Sequence, residues 1–311
     1  MLKVYSVIVT YNGSKWIEKC IKSLQESSVK SIIIVVDNNS SDNTIQIVID
    51  KFPNVSIIRS SENIGFGRAN NIALSKALKE NADFALLLNQ DAWIEPDCIE
   101  KLIGVALKNK KVGIIAPLNF SPNGNLENGF QYELNSQNCP GILSDLLTNN
   151  LQKFYPVTQY INASCWLLTS ECINITGGFD PVFNHYGEDV DYCKRAIFHG
   201  FQAGVCTSAK EYHAKEYFKR NANNFSLLLS ENKKKYLNNY LLIKIKDLNL
   251  NLISNYVFES LMLLGLLVKY LLNFSFRYFL VYLIIFFEFQ KMMPLIWTNR
   301  KKCLQKNSTF L

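Results

Sequence analysis

Four short apolar segments in the first ninety residues alternate with helix-like segments, and each ends abruptly in polar residues. They cover residues 4–10, 32–36, 55–58 and 84–88. Short unbroken apolar runs are typical of strands buried on both faces of a parallel sheet. Because apolar residues recur at helical spacing between them, we predict an α/β fold with right-handed crossovers. Ligands of such sheets bind at the carboxyl ends of the strands, where these polar residues would gather.

The fourth segment carries the strongest chemical signal. It is followed by Asn89, Gln90 and Asp91, and a carboxylate at such a strand end can hold a divalent cation that in turn holds a diphosphate. Pro96 and Asp97 suit the first turn of a helix that we predict to run to about residue 108. The alternative is that Asp91 only caps a turn.

Length and cysteine usage favour one large α/β domain with an appendage in a reducing compartment. The chain has 311 residues and eight cysteines, without a CxxC pair or a zinc-ligand spacing to its three histidines. We therefore predict reduced cysteines that pack in the interior of a cytosolic protein. The first ten residues lead into a strand and lack the features of a signal peptide.

The positive charge is concentrated in the last third of the chain. Residues 216–311 hold 14 Lys and Arg against five Asp and Glu, a net charge of +9 within a whole chain of +7. A nucleic-acid-binding protein more often spreads its basic residues over the recognition domain. A basic, apolar tail instead favours an anionic membrane surface, and we expect no nucleic-acid partner.

Helical periodicity dominates this last third, over about 224–247, 252–272 and 276–291. The longest uninterrupted apolar run, residues 278–287, has ten residues, whereas a membrane-spanning helix needs roughly 17–25 predominantly apolar residues. Aromatic residues crowd the last two helices, and a basic stretch at 300–302 follows. We therefore expect a helical pair that lies in the bilayer interface. The alternative is a helical cap on the α/β domain or on a second subunit of a homo-oligomer.

The middle of the chain is less regular. Residues 117–156 are polar and without periodicity, so we expect hairpins and a long loop there. Residues 161–169 regain strand character, residues 177–181 form a turn, and residues 188–199 form a helix ended by Gly200.

Five motifs in a fixed order resemble the glycosyltransferases of family 2, and in particular their bacterial rhamnosyltransferase-like branch. They are residues 6–12 (SVIVTYN), 36–42 (VDNNSSD), 63–71 (NIGFGRANN), 88–91 (LNQD), and Gly-Phe-Asp at 178–180 followed by residues 188–191 (EDVD) with Arg195. The resemblance covers about residues 4–215. It implies the GT-A fold, which is a Rossmann-like, mostly parallel sheet flanked by helices.

The resemblance also implies a division of the chain. Residues 1–215 would form the GT-A domain, with a nucleotide-binding half at 1–110 and an acceptor half at 111–215. Residues 216–311 would form a helical, basic and aromatic extension that associates with the membrane.

The activity implied by the resemblance is an inverting, metal-dependent hexosyl or deoxyhexosyl transfer. The donor would be a UDP- or dTDP-sugar, with rhamnose-like sugars among the candidates. The acceptor would be a lipid-linked or growing surface glycan at the cytoplasmic face of the cell membrane. Asp37 could accept the imide N–H of the base, Gly65 allows close approach, and Arg68 offers positive charge to a diphosphate. The full set of expected donor-binding residues is Thr10, Tyr11, Asn12, Asp37, Asn39, Gly65, Arg68, Asn70, Asn89 and Gln90.

Metal and base residues follow from the same resemblance. Asp91 matches the last position of the family's DxD motif, although Asn89 replaces the first aspartate, and His213 lies where many members place a histidine. Asp91 and His213 are thus the expected residues for Mg²⁺ or Mn²⁺. Asp189 is the expected general base and Glu188 its catalytic neighbour; alternatively, both only complement the charge of a helix N-terminus. We assign the i,i+4 pair of Asp191 and Arg195 to structure.

Two other functions compete with this prediction. A sugar nucleotidyltransferase would be expected to carry a Gly-rich, Arg-containing loop after the first strand, which residues 11–15 (YNGSK) are not. A catalytically impaired homologue could instead serve as a membrane scaffold in polysaccharide assembly, and Asn89 keeps that alternative open.

Overall fold

The computed structural model describes residues 2–183, 186–215 and 225–311. Its first part alternates strands and helices as predicted: β1 Val4–Thr10, α1 Ile17–Gln25, β2 Ile32–Asp37, α2 Thr44–Lys51, β3 Ser56–Arg59, α3 Phe66–Lys79, β4 Phe84–Leu88, β5 Ala92–Ile94 and α4 Cys98–Lys108. Helix α1 starts after Trp16 without a side-chain cap. The backbone N–H of Ser14 donates to Asp42.

The second part contains β6 Val112–Phe120, α5 Asn128–Glu133, α6 Ile142–Leu147, β7 Phe154–Pro156, β8 Cys165–Thr169, α7 Ser170–Thr176, α8 Glu188–Phe198 and β9 Gln202–His213. The expectation of hairpins and a long loop over residues 117–156 is met in part: Phe120 pairs antiparallel with Leu126, but two short helices lie where a loop is expected. Glu127 caps α5 by accepting the N–H of Phe130 at 2.8 Å. Helices of six residues are too short to show a periodic pattern in the sequence.

All nine strands form one sheet in the order β3-β2-β1-β4-β8-β6-β9-β5, with β7 also paired to β9. Neighbours among β1 to β4 are parallel. In the second half β8 is antiparallel to both β4 and β6, and β9 is antiparallel to β5 and β7. The ends of β1, β2 and β4 therefore meet at one edge, with Thr10 opposite Asp37.

Apolar clusters cover both faces of the sheet. One packs α1 and α4 against it, for example through Ile21 and Leu102. The other packs α3, α7 and α8, for example through Leu74 and Tyr192. All eight cysteines are free and buried, which confirms their predicted packing role.

A bulge in β9 decides where its end lies. Along β6 the pairing shifts, so that Pro117 lies opposite Cys206 but Leu118 lies opposite Lys210. Such a bulge bends and twists a strand. Beyond the bulge, β9 pairs with β5, and His213 lies opposite Ala92. Because Ala92 directly follows Asp91 in the chain, His213 comes to lie beside the residues that follow β4.

The extension is helical, as predicted. It comprises α9 Phe225–Asn232, a π-helical stretch Lys233–Leu242, α10 Ile243–Lys246, α11 Leu252–Leu272 and α12 Phe276–Cys303. The last helix is longer than expected and contains Pro294. A third apolar cluster joins these helices to Val182 and Phe183 of the enzyme body.

The outer faces of α11 and α12 remain apolar and exposed. Only three of the 21 residues of α11 are buried. By length and composition both helices are long and apolar enough to cross a membrane. The length of the uninterrupted apolar run is therefore too strict a criterion, because a membrane-spanning helix tolerates a few charged residues.

Candidate functional site

A cleft of about 690 Å³ opens at the carboxyl edge of the sheet. Its lining residues come from the ends of β1, β2 and β4 and from the loop into α3: Val9, Tyr11, Asn38, Glu62, Asn63, Ile64, Gly65, Phe66, Arg68, Asn89, Gln90 and Asp91. The volume falls within the usual range of about 300–1,000 Å³ for small-molecule sites. Of the twelve residues predicted from the sequence to bind the donor or a metal, six line this cleft.

Gln90 joins the ends of β1 and β4. Its Oε1 accepts hydrogen bonds from Thr10 Oγ1 at 2.6 Å and from the N–H of Tyr11 at 3.0 Å. A side chain at Gly13 would place its Cβ 2.1 Å from the same oxygen. Thr10 therefore lies behind the cleft and holds Gln90 in place.

The end of β2 contributes Asn38 instead of the predicted Asn39. Asn38 Oδ1 accepts the N–H of Ile64 at 3.0 Å and so ties this strand to the loop before α3. Asn39 is exposed with a φ of 68°. Asp37 is buried, and its Oδ1 accepts the N–H of Ser40 at 3.0 Å.

Two further predicted residues lie outside the cleft lining and hold local structure. Asn12 Oδ1 accepts the N–H of Ser41 at 2.8 Å. Asn70 is buried, and its Nδ2 donates to the carbonyl of Phe66 at 3.0 Å within α3. Both side chains serve turn or helix geometry, which the motif alone does not distinguish from ligand binding.

The N-terminus of α3 faces the cleft. Gly65 has a φ of 86°, which favours glycine, and its neighbour Phe66 starts the helix. Arg68 lines the cleft and donates to the carbonyl of Pro181 at 2.9 Å. Free N–H groups at a helix start and a guanidinium together suit a phosphate group.

Asp91 and His213 meet at the far side of the cleft. Asp91 Oδ1 lies 3.2 Å from His213 Nε2. Among the residues that the structure describes, no group of three or more His, Cys, Asp or Glu could hold a metal. Mg²⁺ and Mn²⁺ are commonly held by one or two protein ligands together with substrate phosphates and water. Two candidate ligands beside a cleft that is large enough for a diphosphate fit that mode.

The electrostatics keep Asp91 ionised. Burial alone would raise the pKa of Asp91, but the hydrogen bond and charge of His213 outweigh it and hold this pKa below its usual value. Burial alone would lower the pKa of His213, and Asp91 reverses that effect, so this pKa is raised. Glu211 lies fully buried nearby, and burial raises its pKa to about 7.

Glu188 and Asp189 form the first turn of α8 and differ in exposure. Glu188 is 7% exposed, and its Oε2 has no hydrogen-bond partner among the described residues. Burial, followed by the charge of Asp189, raises the pKa of Glu188 to about 7. Asp189 is partly exposed and accepts the N–H of Val190 at 2.8 Å, and burial raises its pKa. Of the two residues, Asp189 thus has the larger exposed fraction.

Sequence reasoning missed a third carboxylate close to these two. Glu133 at the end of α5 is buried and accepts the N–H of Asn162 at 2.9 Å and its Nδ2 at 3.0 Å. Burial is the main cause that raises the pKa of Glu133 to about 7, and the charge of Asp189 adds to it. Glu133 lies in the segment without periodicity, where no sequence pattern points to it.

The predicted structural role of Arg195 is confirmed. Its Nε lies 2.7 Å from Asp191 Oδ2, and both side chains are buried. The same guanidinium donates to the carbonyls of Thr176 at 2.6 Å and Gly178 at 2.8 Å. Arg195 therefore fixes α8 to the segment that precedes it.

Comparison with known sequences finds several similar transferases, including the two that follow. The N-acetylglucosaminyl-diphospho-decaprenol L-rhamnosyltransferase of Mycobacterium tuberculosis is 25% identical over 239 residues, which cover 68% of this chain and 76% of that protein. The dTDP-rhamnosyl transferase RfbF of Shigella flexneri is 24% identical over 213 residues, which cover 68% of this chain and 69% of that protein.

A solved structure shares the fold. GalNAc-T7 with UDP, GalNAc and Mn²⁺ matches with a TM-score of 0.58 at 15% identity, over 72% of this chain and 45% of that chain. The likeness confirms the GT-A arrangement of sheet and helices. The family model for glycosyl transferase family 2 matches residues 6–171, more than half of the sequence. Sequence motifs, fold and family model agree, and the chain belongs to glycosyl transferase family 2.

Proposed function

We propose that this glycosyltransferase moves a sugar, with inversion, from a nucleoside-diphosphate sugar to a lipid-linked or growing surface glycan. The observation that carries the proposal is the arrangement of the cleft. Asp91 and the N-terminus of α3 both line it, and His213 lies 3.2 Å from Asp91. The first turn of α8 packs beside α3, since a Cβ built at Gly67 would lie 3.8 Å from that of Glu188.

The donor would lie along the carboxyl edge of the sheet. Asp37, at the end of β2, would accept an N–H of the base. The N-terminus of α3 and Arg68 would face the diphosphate. Asp91 and His213, with Asn89 as a neutral neighbour, would hold Mg²⁺ or Mn²⁺. When bound, the ion would neutralise charge on the leaving diphosphate.

Asp189 would act as the general base. As the acceptor hydroxyl oxygen forms its bond to the anomeric carbon, the bond from that carbon to the phosphate oxygen breaks. The hydroxyl proton passes to the carboxylate of Asp189, and the nucleoside diphosphate leaves. A single displacement of this kind inverts the anomeric centre and needs no covalent intermediate. The partial exposure of Asp189, against the burial of Glu188, supports this assignment.

The names of the relatives support a deoxyhexose donor and a lipid-linked acceptor. One is named for L-rhamnose transfer to N-acetylglucosaminyl-diphospho-decaprenol and the other for transfer from dTDP-rhamnose. By analogy we propose a dTDP- or UDP-linked sugar as donor and a glycan on a membrane lipid as acceptor.

We further propose that residues 216–311 hold the GT-A domain of residues 1–215 at the cytoplasmic face of the membrane. Support comes from the exposed apolar faces of α11 and α12, and from the exposed Lys301 and Lys302 in the last turn of α12. Buried residues of α12 extend from Val281 to Cys303, so the helix packs along the protein. A helix held in this way suits the plane of the bilayer interface.

A panel of nucleotide sugars, each with and without Mn²⁺, tests the proposal. We expect one donor to be hydrolysed slowly and its sugar to pass to a lipid-diphosphate-linked acceptor with inverted configuration. Retention of the anomeric configuration would contradict the mechanism. Failure to bind or turn over any donor would favour the alternative of a membrane scaffold.

A further inference from the structure

Three distant parts of the chain hold the segment that joins α7 to α8. Asn71 of α3 bonds both backbone groups of Phe179, accepting its N–H at 2.7 Å and donating to its carbonyl at 2.8 Å. Arg195 of α8 donates to the carbonyl of Gly178. The N–H of Gly178 donates to the carbonyl of Thr309, beyond α12, at 2.7 Å. Residues 177–183 are thus held by α3, whose N-terminus faces the cleft, by α8, which carries the proposed base, and by the C-terminal segment.

Asp180, in the middle of this segment, makes a buried ionic contact with the extension. Its Oδ2 lies 2.5 Å from Lys246 Nζ of α10, and both side chains are fully buried. Its Oδ1 accepts Asn299 Nδ2 of α12 at 2.6 Å and the N–H of Val182 at 2.9 Å. Burial alone would lower the pKa of Lys246, but the carboxylates of Asp191 and Asp180 outweigh it and raise this pKa. Lys246 therefore remains charged.

Apolar and backbone contacts extend the same interface towards α8. Val182 and Phe183 pack in the apolar cluster of the extension with Leu241 and Ile245. A Cβ at Gly187, the residue before α8, would lie 3.0 Å from the carbonyl oxygen of Asn238. The extension therefore contacts the chain on both sides of residues 184–185 and directly before Glu188.

We propose that Asp180, Lys246 and Asn299 are positioning residues for sugar transfer, through which the C-terminal extension fixes residues 177–183 and thereby the first turn of α8. The inference rests on the proposed function, which places the general base in that turn. It makes the extension a structural part of the transfer site in addition to its proposed role at the membrane. None of the three residues needs to touch substrate.

The test compares Lys246→Met, Asp180→Asn and the double variant in the full chain. Each single change leaves one buried charge without its partner, which strongly destabilises a buried ion pair. We expect kcat for transfer to fall by about 10- to 100-fold in each, the scale of a small misplacement of a catalytic group, with a much smaller change in donor Kd. The double variant leaves no unpaired charge and should recover most of the rate.

Lys244→Met is the matched control. It also removes a lysine from a buried carboxylate, since Lys244 Nζ lies 3.0 Å from Glu259 Oε1, but both residues belong to the extension. We expect its kcat to stay close to that of the unchanged protein. An equal loss in the control would attribute the effect to general weakening of the extension and overturn the proposal.

Amide hydrogen exchange supplies a readout that does not depend on activity. Peptides covering residues 177–183 and the start of α8 should lose protection in each single variant and regain it in the double variant. Unchanged exchange and unchanged kcat in Lys246→Met would overturn the inference. If the wild-type protein transfers no sugar, the proposed function is refuted instead. The exchange pattern would still decide whether the extension fixes residues 177–183 and the first turn of α8.

Discussion

Replacing Asp189 by asparagine should slow sugar transfer by about 10²- to 10⁴-fold, or about 3–5 kcal/mol in activation free energy, the range for loss of a general base. The change keeps the size of the side chain. An amide oxygen can still accept the N–H of Val190, which Asp189 accepts at 2.8 Å. Asp189 does not belong to the lining of the donor cleft, so donor affinity should change little.

The same substitution should alter the pH dependence of any remaining activity. The charge of Asp189 is, after burial, the second cause that raises the pKa of Glu188 to about 7. Removing this charge should lower the pKa of Glu188. A carboxylate base works only when ionised, so the rate rises as pH increases through its pKa. If Glu188 supports the residual rate, the acid limb of the profile should begin at a lower pH.

Transfer to a defined acceptor is the assay, and calorimetry on the same variants gives donor affinity. Glu188→Gln is the matched control, because it also replaces a carboxylate by an amide in the same helical turn. Its effect should be smaller and should act through orientation or the local field. Near-normal transfer by Asp189→Asn, with a large loss in Glu188→Gln, would refute the assignment and make Glu188 the base.

Three other outcomes are expected. Asp91→Asn should abolish Mn²⁺-dependent donor binding in calorimetry and Asn89→Asp should tighten it, whereas unchanged metal dependence in Asp91→Asn would move the metal site elsewhere. Leu272, at the end of α11, is 71% exposed, and Leu272→Asp should weaken sedimentation with anionic liposomes. Leu147, in α6, is 83% exposed, and Leu147→Asp should leave sedimentation unchanged. Equal sedimentation of the two variants would contradict the proposed membrane-binding face. Burial raises the pKa of Glu133 from 4.5 to about 7. The unfolded chain therefore loses this proton at a lower pH than the folded protein does, and the free energy of unfolding falls as pH rises through this interval, by at most about 3 kcal/mol. Glu133→Gln should flatten this fall in urea unfolding between pH 5 and 8, and an unchanged slope would contradict the raised pKa.

Local pattern predicted the first part of the fold, from β1 to α4, and part of the site. Each buried strand there is a short apolar run and each helix repeats its apolar residues, and both signals are complete within a few residues. Asn89, Gln90 and Asp91 could therefore be placed at a strand end, and Gly65 and Arg68 at a helix start. Asn12, Asn39 and Asn70 belong to the same motifs but lie outside the cleft lining, because a motif does not specify where each side chain points.

The meeting of Asp91 with His213 was decided by tertiary structure. The two residues are 122 positions apart. Their contact depends on the bulge in β9 and on its pairing with β5. Strand pairing between distant segments is set by packing over the whole sheet, and local sequence carries little of that information.

The buried carboxylates show the same division. The sequence marks Asp180 as part of a turn, and it gives no signal for Glu133. Only the folded chain brings Lys246 and Asn299 to Asp180, and Asn162 to Glu133. A charge or polar group can remain in the interior only where another part of the chain supplies its partner. The residue types were fixed by the sequence, but their partners, and hence their roles, were fixed by tertiary packing.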